Sequence, residues 1–75
     1  MASTATVDII SQIGETAGKI YRALEARREQ TLSDLRKATR IENADLLQQG
    51  IGWLARESKI NITTNLKGEL RVSLK

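Results

Sequence analysis

The first third of the chain repeats apolar and polar positions with the period of an α-helix. Over residues 7–29 apolar side chains recur at steps of three and four, with charged side chains opposite. This predicts a long amphipathic helix, for which Thr6 is a suitable N-cap and Asp8 a favourable first-turn residue. The stripe from Ile9 to Leu24 spans about 24 Å, so we expect the small core to leave its start uncovered.

Two shorter helices joined by a turn are predicted next. Residues 32–39 form the first of them, capped by Thr31 or Ser33. Residues 40–43 break the pattern, and the asparagine that ends this turn is a suitable N-cap for a third helix over residues 44–58. A turn of this length between two helices is typical of a helix-turn-helix.

Four glycines lie inside predicted helices, where each costs about 0.5–1 kcal/mol relative to alanine. In the third helix, Gly50 shares the apolar face, so we expect it to allow close approach of the preceding helix, whereas Gly52 points to solvent. In the first helix, Gly14 and Gly18 lie four residues apart at the edge of the stripe. Two interpretations remain open for them: tight packing within one chain, or a close crossing of helices from two chains.

The end of the chain changes to a period of two, which predicts a two-stranded hairpin with one apolar and one polar face. Its turn lies around residues 67–68. The predicted fold class is α+β, mainly α: three helices followed by a C-terminal β-hairpin wing, the winged helix-turn-helix. We expect one domain over residues 1–75, with residues 1–6 as a disordered tail. The predicted apolar face of the hairpin comprises Ile60, Ile62, Thr64, Leu66, Leu70, Val72 and Leu74.

Three segments in order, "IGETAGKIYRALE", "TLSDLRKAT" and "GWLARESKI", resemble a small bacterial and archaeal family of winged helix-turn-helix domains without an assigned function. The resemblance covers residues 13–74. Members of that family usually carry glycine where this chain has Ser58, which bears on how the third helix ends. The resemblance implies the fold and leaves the molecular role open.

Composition narrows the possible chemistry. The chain has no cysteine and no histidine, which removes disulfides, thiolate or imidazole metal ligands and histidine acid–base catalysis. No glycine-rich phosphate loop is present. We therefore predict no enzyme, no cofactor, no metal site and no small-molecule substrate. The longest apolar run is far below the ~18 residues of a membrane span, and the start lacks a signal-peptide pattern, so we expect a cytoplasmic protein without membrane contact.

The favoured functional hypothesis is weak binding of double-stranded DNA in the manner of a transcription regulator. The net charge is +3 and leans towards the C-terminus. In winged helix proteins that read DNA, the third helix enters the major groove and the wing contacts phosphates or the minor groove. Glutamine can pair with adenine and arginine with guanine. The candidate DNA-binding residues are Arg36, Lys37, Gln48, Gln49, Gly52, Arg56, Lys59, Lys67 and Arg71.

A plain solvated surface is the competing interpretation of the same helix face. Asp45 would meet phosphate unfavourably, and Arg56 is the single cation at the centre of that face. Specific binding usually depends on several phosphate contacts, so we expect weak binding with mild sequence selectivity.

The alternative function is a protein-interaction module that does not bind DNA. We predict a homodimer through the uncovered start of the first helix, with Val7, Ile9 and Ile10 as contacts. Leu46 and Trp53 share a flank of the third helix, where the tryptophan is either part of the core or the centre of an interface.

Overall fold

The first helix, α1, spans Ile9–Ala26 in a computed structural model that describes residues 8–75. Asp8 is its N-cap: the carboxylate accepts hydrogen bonds from the Ser11 hydroxyl at 2.8 Å and the Ser11 amide at 3.1 Å. These two bonds lower the pKa of Asp8 below its ordinary value. The predicted cap, Thr6, lies outside the described residues, and the placement of Asp8 in the first turn was wrong by one position.

The chain leaves the helix at Ala26 and not at residue 29 as predicted, because Gln30 redirects it. Gln30 is buried, and its Nε2 donates to the carbonyls of Ala23, at 2.8 Å, and Arg27, at 3.2 Å. The Ala23 carbonyl also accepts from the Arg27 amide at 3.1 Å, so Gln30 adds a second donor there and supplies one to the Arg27 carbonyl, beyond the end of the helix. The residues around it form a short strand, β1 (Glu29–Thr31), which the sequence pattern did not predict.

The helix-turn-helix has the predicted boundaries at its first helix and turn. Helix α2 spans Leu32–Thr39, and the hydroxyl of Thr31 caps it by accepting from the Asp34 amide at 3.1 Å. Helix α3 spans Ala44–Arg56, and the side chain of Asn43 accepts from the first free amides of that helix. Both caps supply acceptors for amides that have no partner within the helix.

Helix α3 ends two residues before the predicted boundary. The Lys59 amide donates to the Leu54 carbonyl and the Ser58 amide to the Ala55 carbonyl, both at 3.0 Å. These two bonds form a Schellman motif, which requires a left-handed residue after the cap. Ser58 takes that role with φ of 60°, a conformation that favours glycine.

Strands β2 (Ile60–Thr64) and β3 (Leu70–Leu74) form the wing. The wing is part of a three-stranded antiparallel sheet of order β1-β3-β2, and not an isolated hairpin as predicted. The side chain of Asn65 closes its turn by accepting from the amides of Lys67, at 2.8 Å, and Glu69, at 3.0 Å.

The predicted apolar face of the wing is covered only at its base. Ile60 and Val72 are buried against the helices. Towards the tip the sheet extends past the helices, so Ile62 and Leu70 are partly exposed and Leu66 is fully exposed. Alternation along a strand predicts which side chains share a face, but not how much of that face finds a partner.

The core lies between α1 and α3, and Gly50 is the point of closest approach. A Cβ atom at this position would lie 2.8 Å from Thr16 Cγ2, 2.9 Å from Ile20 Cδ1 and 3.2 Å from the backbone nitrogen of Ala17. The prediction that this glycine faces inward is confirmed, but its partner is α1 and not the preceding helix α2. The buried core residues are Ala17, Ile20, Leu24, Leu35, Ile41, Leu47, Ile51, Leu54, Ile60 and Val72.

Candidate nucleic-acid interface

The outward face of α3 carries hydrogen-bonding side chains and a glycine. The Asn43 cap fixes where the helix starts, and the buried face that holds Gly50 fixes its rotation. A Cβ atom added at Gly52 would find no atom within 4 Å, so the helix backbone is open to approach at that point. The predicted phase of the helix is therefore confirmed. The exposed residues of this face are Asp45, Gln48, Gln49, Gly52 and Arg56.

A groove of about 350 Å³ lies beside this face, between the starts of α2 and α3 and the wing. Leu32, Leu47 and Leu70 supply apolar walls, and Arg36 and Gln48 are among the polar groups that line it. Through this groove the structure brings two candidate residues from different helices together.

Arg36 is exposed, and its Nη2 donates to the Glu42 carbonyl at 3.0 Å. This bond holds the guanidinium beside the turn that precedes α3. Arg36 therefore lies next to the outward face of α3, with part of its donor capacity already used.

Two candidate cations lie away from the α3 face. Lys59 Nζ lies 5.6 Å from the centroid of the Tyr21 ring and 3.9 Å from a Glu57 carboxylate oxygen. Arg71 forms a 3.1 Å ion pair with Glu29 on the face of the sheet opposite the buried Val72. Neither residue is grouped with the glutamines, although the sequence interpretation placed them in one binding set.

The positive charge concentrates in a region that the sequence interpretation underestimated. Residues 27–40 hold five basic and two acidic residues, a net charge of +3, which equals the net charge of the chain. Residues 41–59, which contain α3, hold two basic and three acidic residues, a net charge of −1. The lean of charge towards the C-terminus, which the sequence analysis noted, does not reveal this basic region.

Four of the five cations of this region line neighbouring hollows of one surface, which we call the α2 basic face: Arg27, Arg36, Lys37 and Arg40. Arg36, Lys37 and Arg40 line one hollow, and Lys37 and Arg27 line the next. Lys37 therefore links the end of α1 to the end of α2. Arg27 and Arg40 were missing from the predicted set. Cations near a helix C-terminus also stabilise the helix dipole by about 0.3–1 kcal/mol each.

The candidate contacts for a protein partner have different environments. Ile9 is 52% exposed, Ile10 67% and Trp53 37%, while Leu46 is half-buried. The core thus leaves the described start of the apolar stripe uncovered, as its length predicts, and Trp53 lies outside the core. Val7 lies outside the described residues.

The two glycines of α1 do not mark a tight contact within the chain. Among residues 8–75, a Cβ atom at Gly14 would meet nothing within 4 Å, and one at Gly18 would lie 3.5 Å from Arg22 Nη1. Of the two interpretations left open by the sequence, tight packing inside the monomer is wrong. Both positions leave room for an additional group beside α1.

Residues 8–75 contain neither a membrane-spanning helix nor a cluster of metal ligands. No helix in that range has the length and apolar character of a membrane span. No three carboxylates in it lie close enough to hold a metal ion.

Three helices with a capped turn and a small antiparallel wing define a winged helix-turn-helix domain. The chain belongs to the winged helix-turn-helix domain family DUF2582, whose model matches residues 8–74. It is similar to an uncharacterized protein of Methanocaldococcus jannaschii, with 51% identity over 55 residues. That alignment covers 71% of this chain and 77% of the archaeal protein.

Proposed function

We propose that the chain is a DNA-binding winged helix module that binds duplex DNA weakly, as a transcription-regulator-like protein without catalytic activity. The observation that carries this proposal is the outward face of α3. Each of its exposed side chains has a group that can donate or accept a hydrogen bond, and Gly52 leaves the backbone open. A helix of this kind fits the major groove of B-DNA, where base edges present donors and acceptors.

The individual roles follow from side-chain chemistry. Gln48 and Gln49 have the donor and acceptor that adenine requires, and Arg56 can donate two bonds to guanine. Lys67, exposed at the tip of the wing, would meet a phosphate. Asp45 opposes the phosphate backbone, so we expect low affinity and modest base selectivity.

Fluorescence anisotropy with random and selected duplexes, at two salt concentrations, tests these roles. Arg56→Ala should weaken binding and relax base preference, because it removes the central guanine contact. Lys67→Ala should weaken binding equally across sequences and lower the salt slope by about one unit. Lys19→Ala, on the outer side of α1, is the control and should change neither quantity. Equal effects for all three variants would contradict the assigned roles.

Self-association through the start of α1 is the second candidate function. Ile9 and Ile10 are more than half exposed, and the space beside Gly14 is empty. Along an α-helix Ile10, Gly14 and Gly18 fall on adjacent turns of one side. A second copy of α1 could cross there at short distance and cover the exposed isoleucines, which would give a homodimer.

Sedimentation equilibrium distinguishes a specific contact through α1 from non-specific association of exposed apolar side chains. Ile10→Ser should shift the chain towards monomer, because it removes apolar area from the contact. Leu66→Ser replaces an apolar side chain on the wing that is more exposed than Ile10 and should leave the mass unchanged. A wild-type chain that stays monomeric at high concentration would end this proposal. The interaction-module alternative would then rest on Trp53 and Leu46.

A further inference from the structure

We infer that the α2 basic face, and not the outward face of α3, supplies most of the phosphate contacts when this domain binds duplex DNA. The inference rests on the proposed function and deepens it, because it assigns the surface along which the DNA backbone lies. Arg27 and Arg40 were absent from the sequence-based candidates, and Lys37 is the residue that connects them.

Charge separates the two surfaces. The hollows of the α2 basic face are lined by its four cations and by the carboxylates of Asp34 and Glu42, a net charge of +2, whereas the outward face of α3 holds Asp45 and Arg56, a net charge of zero. Phosphate binding requires cations that displace the counterions condensed on the duplex. A DNA phosphate backbone that crossed α3 would meet Asp45 and a single arginine, whereas one that ran along α2 would meet the cations of the α2 basic face.

The cations of the α2 basic face are available. All four are exposed. Within residues 8–75 the two ion pairs shorter than 4 Å use Lys59 and Arg71, neither of which belongs to this face. Asp34 and Glu42 line the same hollows, but neither carboxylate is within ion-pair distance of a cation there. The charge of the face is therefore presented to solvent.

The lack of an apolar anchor favours nucleic acid over a protein partner. Protein interfaces depend on desolvated aromatic or aliphatic side chains at their centre. In the two hollows of this face the exposed apolar atoms come from Ala26 and Ala38, and the leucine walls beside Arg36 belong to the separate groove at the start of α3. Spread cations without an anchor suit an extended polyanion that is recognised by its charge and not by its sequence.

The arrangement also orients the duplex. Arg36 belongs to the α2 basic face and lines the groove that Gln48 of α3 borders. DNA whose backbone follows α2 would therefore present its adjacent groove to the start of α3. Phosphate contacts on α2 and base contacts on α3 are compatible in one complex.

The test compares two triple variants that remove the same net charge. The first variant removes three cations of the α2 basic face: Arg27→Gln, Lys37→Gln and Arg40→Asn. Asparagine is chosen at position 40 because the backbone there is left-handed, with φ of 59°, and asparagine tolerates that conformation. The control removes exposed cations outside the face as Lys19→Gln, Arg22→Gln and Lys75→Gln. Affinity for a random-sequence duplex is measured by anisotropy from about 50 to about 200 mM salt, and circular dichroism verifies folding.

We expect the first variant to lose about two to three units of salt slope, about 0.9 for each phosphate contact. The control should lose less than one unit. Equal losses in the two variants would overturn the inference, because net charge alone would then explain binding. If the first triple does not fold, Lys37→Gln alone should lower the slope by about one unit, and an unchanged slope would overturn the inference.

Two more outcomes separate this inference from the proposed function. If replacing Gln48, Gln49 and Arg56 by alanine removes the salt slope while the first triple variant keeps it, the inference fails and the proposed function stands. If the wild-type chain binds no duplex at about 50 mM salt, both fail. A poly-glutamate chain that binds more tightly than duplex at equal salt would overturn the inference and reassign the surface to an acidic protein.

Discussion

Gly50 and Gly52 lie two residues apart in α3 but in opposite environments. At Gly50 a Cβ atom would lie 2.8 Å from Thr16 and 2.9 Å from Ile20, whereas at Gly52 it would meet no atom within 4 Å. The inner glycine is a packing requirement of the α1–α3 crossing. The outer glycine has no role in the fold that these contacts reveal. The comparison teaches that the two faces of one helix have different constraints: the inner face packs against α1, and the outer face, where we propose DNA binding, is free of packing contacts at Gly52.

The largest expected effect comes from Gly50→Ala, which breaks the close approach. Overpacking of a core costs about 1–3 kcal/mol, and better helix propensity returns about 1 kcal/mol. The difference is a net loss of about 0–2 kcal/mol, and we expect the upper half of that range, because the Ala17 backbone nitrogen at 3.2 Å cannot move away as a side chain can. Urea unfolding measures this. Equal changes for Gly50→Ala and Gly52→Ala would contradict the assignment of inner and outer faces.

Ser58→Gly should stabilise the domain by about 1 kcal/mol, because a left-handed residue other than glycine carries a steric penalty of that order. This variant extends the comparison of the two glycines to the end of α3, where the backbone of Ser58 has a conformation that favours glycine. The matched control is Ser33→Gly in the regular helix α2, which should destabilise by about 0.5 kcal/mol. A loss of stability in Ser58→Gly would mean that the serine side chain contributes more than its backbone strain costs.

Gly52→Ala should stabilise the domain by about 0.5–1 kcal/mol, because it gains helix propensity at a position with open space. For a chain of this size the melting temperature should rise by about 2–8 °C. Calorimetry checks the shift. A destabilised variant would show that Gly52 packs against a group on the outer face and would remove the contrast with Gly50.

The smallest effect concerns the start of α1, the partner helix in the crossing. Ser11 lowers the pKa of Asp8 by donating its hydroxyl and its amide. A carboxyl whose pKa is lowered in the folded state stabilises that state at every pH above its unfolded-state pKa of about 3.9. This stabilisation is lost as the pH falls through the lowered, folded-state pKa. NMR titration of the Asp8 carboxyl should show this shift, and Ser11→Ala should return its pKa towards the ordinary value. An unchanged pKa in that variant would contradict the cap.

The helix-turn-helix could be predicted because its signals are local. Thr31 and Asn43 are caps that act on amides two or three residues away. The bounds of α2 and the start of α3 therefore followed from the sequence. Gly50 was assigned correctly to the inner face by periodicity, but its partner helix depends on how three helices assemble, which a one-dimensional pattern does not contain.

The missed elements depend on long-range contacts. β1 has only three residues, all of them polar, and each pairs with a residue of β3 that lies forty or more positions further along the chain. Gln30 looks like a surface residue in the sequence, yet its amide is buried where it satisfies the end of α1. Likewise Lys59 and Arg71 were grouped with the DNA candidates by charge alone, and the structure directs them to Tyr21 and Glu29.

The central claim is that the inner face of α3 builds the domain while the outer surface of α2 and α3 binds duplex DNA. The most direct measurement is an NMR titration of the full chain with random-sequence duplex at about 50 mM salt, repeated at about 200 mM. Amide shifts should move on the α2 basic face and at Gln48, Gln49 and Gly52, and should return at the higher salt. The core residues Ile20 and Leu54 should not move. A spectrum that stays unchanged at the lower salt would contradict the claim.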